Sequence, residues 1–236
     1  MMKKRNWILA AFLLSTSMVA LAQKSAEEPK GKAIVQVFGN FHSGFGHAND
    51  DRGFELDRSY LGYQYDLGHG LEVKGVMDIG QSDDVNDFHR IAYIKNAQIS
   101  WRTGKWTLTG GLISNTQFNV QEKFWGYRYV MKSFQDLYKF GNSADLGVSV
   151  AYKFANWISA DAIVVNGEGY KKVQKNDGLM YGLGTTLTPA EGITMRVYYG
   201  LNEGADETKK DVQNLATFIG LKLDWFSLGA EYNWMW

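Results

Sequence analysis

FELDRSYLGYQYDLGHGLEVKGVMDIG, residues 54–80, is the stretch that decides the fold. Its second half alternates: Leu71, Val73, Gly75, Met77 and Ile79 form an apolar or small row, and Glu72, Lys74, Val76 and Asp78 stand between them. A period of two sends successive side chains to opposite faces, so this is a strand with one apolar face and one face that carries charge. The first half behaves alike, except that its apolar row jumps from Phe54 and Leu56 to Leu61, Tyr63 and Tyr65. Such a jump requires a bulge near Arg58. DLGHG, 66–70, joins the two halves by a tight turn.

Outward from this hairpin the pattern recurs. Leu146, Val148, Val150, Tyr152 and Phe154 form one row, and Ile193, Met195, Val197 and Tyr199 another. We expect strands near 33–45, 54–65, 71–80, 91–101, 106–114, 144–154, 157–166, 178–188, 193–201, 213–223 and 226–236. Alternation alone fits a soluble sandwich as well as a membrane barrel, but the connections separate them. GHANDDRG, QSDDVNDFHR, 115–143, GEGYKKVQKND and NEGADETKKDVQ are long and polar, and between them DLGHG, RTGK, AN, TPAEG and DW are tight. Long external loops and short periplasmic turns on alternate ends characterise outer-membrane barrels. Tyr63, Tyr65, Trp101, Trp106, Tyr152, Phe154, Trp157, Trp225 and Phe226 flank the tight turns, where a girdle at the lipid interface belongs.

Composition agrees. The 236 residues include 26 Gly, 2 Pro, 13 Phe, 13 Tyr and 8 Trp, with no Cys. A mean hydropathy of -0.29 is compatible with a barrel, whose strands average a lipid face with a polar lumen face. Lys3, Lys4 and Arg5 precede an apolar run from Trp7 to Leu21, and Ala20-Leu21-Ala22 supplies a small-x-small cleavage site. We read 1–22 as a signal peptide, 23–32 as a periplasmic lead-in and 33–236 as the barrel. Without the signal, 22 Lys+Arg face 25 Asp+Glu, which is no nucleic-acid footprint.

Eleven crossings leave the last strand ending outside, whereas single-chain bacterial barrels have an even number. We expect the chain to stop before the barrel does. The other solution is a twelfth strand within 115–143, built on Trp125, Tyr127, Tyr129 and Met131.

The stretch 54–80, followed by EKFWGYRYVMKSFQDLYKFGNSADLGVSVAYKF (122–154), resembles the phosphate-selective porin O/P family across about 33–236. The resemblance implies a sixteen-stranded barrel, assembled as a homotrimer and conducting small anions. The lumen row here mixes Lys74, Lys153, Arg196 and Lys222 with Glu72, Asp78, Asp145, Asp161 and Glu231.

The segment 115–143 is the foremost candidate for function. Phe118, Phe124, Trp125, Phe134 and Phe140 would be sheltered if it folded back into the lumen, and Lys123, Arg128, Lys132 and Lys139 outnumber Glu122 and Asp136. A cationic ring at a constriction lowers the barrier for an anion; alternatively these cations pair with carboxylates and hold the segment. We therefore expect a pore for small hydrophilic or anionic solutes, embedded in outer-membrane lipid and lipopolysaccharide, with no catalytic residues, cofactor or metal. The alternatives are a surface receptor or adhesin, and a barrel enzyme such as an omptin-like protease using His47 with Asp50 and Asp51, or His89 with Asp87. The acidic clusters Asp50-Asp51 and Asp83-Asp84-Asp87 could hold divalent cations bridging lipopolysaccharide.

Overall fold

A computed structural model describes residues 30–45, 52–81, 89–204 and 209–236. The signal segment, His47, Asp50, Asp51, Asp83, Asp84 and Asp87 lie outside the described residues. Eleven strands run β1 Gly31–Ser43, β2 Arg52–Gly68, β3 Leu71–Gly80, β4 Ile91–Thr103, β5 Trp106–Ser114, β6 Ala144–Ala155, β7 Ile158–Val165, β8 Met180–Leu187, β9 Ile193–Asn202, β10 Val212–Lys222 and β11 Ser227–Met235. Each pairs antiparallel with its sequence neighbour in one sheet of order β1 to β11, whose edges are β1 and β11. The first strand begins at Gly31 and so takes two residues from the expected lead-in.

The sheet is inside out relative to a soluble protein. Leu183 is 62% and Val148 59% exposed, while Asp78 is 1% and Arg196 2% exposed. An aqueous protein that left such a continuous apolar surface in water would aggregate; hydrocarbon accepts that surface, and antiparallel pairing satisfies the backbone within it. Rings collect on the outer face beside the tight turns, with Trp106 against Tyr152 at 4.4 Å, Tyr152 against Phe154 at 4.8 Å and Tyr63 against Tyr65 at 6.3 Å. Phe41 with Phe54, and Trp234 with Trp236, form the matching pairs at the opposite end.

Two bulges aim charges inward. Phe38 faces Arg58 and Gly39 faces Leu56, so Asp57 is the unmatched residue and the bulge lies where the broken apolar row placed it. Val76 faces Asn96 and Met77 faces Ile94, leaving Lys95 unmatched. Alternation counted from Ala97 and Ile99 would put Lys95 in lipid, at about 2–4 kcal/mol for a cation near the midplane. The bulge turns it to the lumen, where its ammonium donates to the Tyr60 hydroxyl at 2.8 Å.

Segment 115–143 contains no strand. It forms helices α1, Asn119–Trp125, and α2, Phe134–Leu137, so the twelfth strand envisaged at Trp125–Met131 is absent. Residues 127–131 instead turn tightly, and Trp125 Nε1 donates to the Met131 carbonyl at 3.0 Å.

Candidate functional site

Segment 115–143 lies on the lumen face of β9–β11, and the fit is specific. Arg196 projects inward from β9, donates twice to Asp161 on β7 (2.8 and 3.0 Å) and once to Thr186 on β8 (2.8 Å), then reaches the Thr116 carbonyl at 2.6 Å. It has room because residue 184 is glycine: a Cβ there would lie 2.4 Å from its guanidinium. Phe124 of α1 packs edge-on against Phe218 of β10 at 5.1 Å, over Gly220, where a Cβ would be 2.5 Å from the ring. Gln135 of α2 donates to Asn233 on β11, and Gln117 donates to Gln135 at 2.9 Å and to the Phe140 carbonyl at 3.2 Å. Gln117, Gln121 and Gln135 are all buried. A segment in water would have no cause to bury three amides.

Residues 166–179, between β7 and β8, also fold inward. Asp145 accepts from the backbone of Gly167 (2.7 Å) and Gly169 (3.0 Å), and Tyr170 N donates to the Ala144 carbonyl at 3.0 Å. The Tyr170 hydroxyl then crosses to β3 and donates to Asp78, which also pairs with Arg58 of β2 at 3.2 Å. Burial and the Asp78 carboxylate push the Tyr170 phenol well above its ordinary value, so it stays a donor. Lys95 lies 4.2 Å from the Tyr60 ring centre and Lys171 lies 4.7 Å from that of Tyr93. Asn142 donates to the Gly167 carbonyl at 2.8 Å and ties the two inward segments together.

Between these segments is a cavity of about 540 Å³, lined by Arg58, Arg128, Lys132, Lys139 and Lys171 with a single carboxylate, Asp136. Three of the four cations expected at a constriction therefore meet there. Lys123 does not: it is exposed on α1, away from this lining. Arg128 is partly neutralised, at 2.6 Å from Asp136 and 3.4 Å from Glu122, so for this residue the holding role applies. Glu122 is buried beside Arg128 and Asp136. Burial holds its carboxyl above the ordinary 4.5, while Arg128 opposes that and Asp136 adds to it. Among the described residues Lys132 and Lys139 form no ion pair, so their charge faces the cavity uncompensated.

All nine expected lumen residues are on the inner face, but most are engaged, Asp145 by Gly167 and Gly169 and Glu231 by Asn233 at 3.2 Å. Asp161 and Arg196 pair with each other, Asp78 is held by Arg58 and Tyr170, and Glu72 accepts from Arg102 at 3.1 Å and Gln64 at 2.8 Å. Lys74 is partly covered on β3, and Lys153 and Lys222 are exposed at the tight-turn end. Sequence reasoning missed Arg58, Lys95, Tyr170 and Lys171. The loop GEGYKKVQKND announced its charge, but nothing in it said that it folds inward. Among the described residues no cluster of His, Asp and Glu could hold a metal ion.

No protein-family model matches the chain, and no curated protein matches it. Among solved structures it is similar to the outer-membrane expressed OmpT of Vibrio cholerae, at 14% identity and a TM-score of 0.54 over 88% of this chain. It spans 65% of the length of that structure. It also matches Salmonella typhi OmpF, solved in complex with daunomycin, at 11% identity and a TM-score of 0.40 over 86% of this chain and 77% of the other. The likeness to OmpT, with the inside-out sheet, identifies the fold as that of an outer-membrane β-barrel.

Proposed function

We propose that the protein is a passive diffusion pore that favours small anions. The observation that carries this reading is the cavity between the inward segments, where Lys132, Lys139 and Lys171, without an ion pair among the described residues, join Arg58 and Arg128, which are paired with Asp78 and with Asp136 and Glu122. In a narrow, poorly screened lumen uncompensated charge acts at full strength on a passing ion. Lys132, Lys139 and Lys171 are the residues assigned to attract the anion, and Arg58 and Arg128 to frame its path. The resemblance to the phosphate-selective porin O/P family supports the same direction. Phosphate as a solute, homotrimeric assembly and contact with lipopolysaccharide belong to this proposal.

The reading is tested by reversal potential in a planar bilayer across a potassium chloride gradient. The protein should pass steady current with anion preference, and Lys132→Gln/Lys139→Gln/Lys171→Gln should shift the reversal potential toward cations. An unmoved potential would sink the charge assignment. A correctly folded protein that passes no current would instead favour a surface receptor.

A further inference from the structure

The lining of the cationic cavity is not all charge. Phe140, Tyr170, Met180, Val212 and Met235 border the same space. Asn214, 3% exposed, also lines it and has a side-chain oxygen without a partner. A site shaped only for inorganic anions would not need this apolar wall, because a bare phosphate keeps its water or exchanges it for polar groups on every side. A volume of about 540 Å³ is within the range of small-molecule sites, which combine apolar walls with a few convergent polar groups.

We propose that this cavity retains organic anions that carry a flat apolar ring, in preference to bare inorganic anions. The inference rests on the cavity being the anion's station in the pore. The anionic group sits toward Lys139, Lys171 and Arg58, the ring lies against Met235 and Val212, and Asn214 bonds to a polar edge of the solute. Burying the ring face supplies affinity that an inorganic ion cannot gain.

The experiment is calorimetric titration of the detergent-folded protein with phenyl phosphate, inorganic phosphate and benzylamine, alongside block of the bilayer current by the same compounds. Phenyl phosphate should bind about ten-fold or more tightly than phosphate, and benzylamine should not bind. Met235 and Val212 are part-exposed at strand ends, so Met235→Ser/Val212→Ser should fold; it should bring phenyl phosphate to the level of phosphate and leave phosphate unchanged. Lys139→Gln/Lys171→Gln should weaken both anions. Equal binding of the two anions, equal binding of benzylamine, no binding at all, or a preference untouched by Met235→Ser/Val212→Ser would each overturn the inference. A protein that does not conduct would defeat the pore reading alone, since the titration still decides this one.

Discussion

On the β9–β11 side of the lumen, Arg196 is 2% exposed and bonded to Asp161, Thr186 and the Thr116 carbonyl. On the β2–β4 side, Arg58 makes the corresponding pair with Asp78, yet it also borders the open cavity and shares its aspartate with a loop tyrosine. The same two residue types serve as a rivet on one wall and as part of a solute path on the other. What separates them is cover. Segment 115–143 seals Arg196, whereas at the β2–β4 wall Tyr170 bonds to Asp78, Lys171 lies over the Tyr93 ring, and Arg58 still borders the cavity. Charge read along a strand therefore states which face a residue occupies, but not whether water or an ion can reach it.

Four experiments press on this difference, in falling order of effect. Arg196→Met would leave the largely covered Asp161 without its cation and free the start of segment 115–143, a loss of about 3 kcal/mol in urea unfolding of the folded protein. A loss under about 1 kcal/mol would mean that the two walls are equivalent after all. Gly220→Val should drive Phe124 from its seat at about 1–3 kcal/mol of overpacking, seen as faster tryptic cleavage at Lys123 and Lys132; unchanged cleavage would show that the ring does not hold the segment. Tyr170→Phe removes one bond to Asp78 while Arg58 remains, so the expected cost is about 1 kcal/mol, with increased proteolysis confined to 166–179.

The smallest effect concerns acid. Because Glu122 is held above its ordinary value, its protonated form favours the fold. That contribution is complete below about pH 4.5 and is lost as pH rises through the raised value. Within that window, lowering the pH removes one negative charge beside Arg128. Anion preference should therefore strengthen on acidification from neutral, and Glu122→Gln should flatten the trend. A profile of the same slope in that variant would assign the effect to another group.

The strands were legible because a lipid face on one side and a lumen on the other impose a period of two on every crossing. Even the bulge at Asp57 showed as a broken row. The bulge at Lys95 did not, since its row of Ile94, Ala97 and Ile99 is broken by a single residue in a strand otherwise rich in polar side chains. The direction of 115–143 was legible from its rings only in part, since Phe118 is buried and Phe124 packs on Phe218 while Trp125 and Phe134 stay 41% and 45% exposed; its helices were not legible, because α1 is seven residues long and takes its support from Phe218 and Gly220 in a distant strand. The site was legible only by half. Lys132 and Lys139 could be named from local charge, but Tyr170 meets Asp78 across 92 positions, and no local pattern encodes a partner so remote.

Those separations also order events in time. The wall pairs only strands adjacent in sequence, the longest connection among the described residues being 115–143, whereas Gln135 meets Asn233 across 98 positions and Arg196 meets Thr116 across 80. Long closures are the slower ones. The chain consequently raises its wall while the interior still stands open, and the filling arrives last. A seated interior thus certifies that β9–β11 are already in register, because only correctly paired strands bring Arg196, Phe218 and Asn233 to the places where the segment docks.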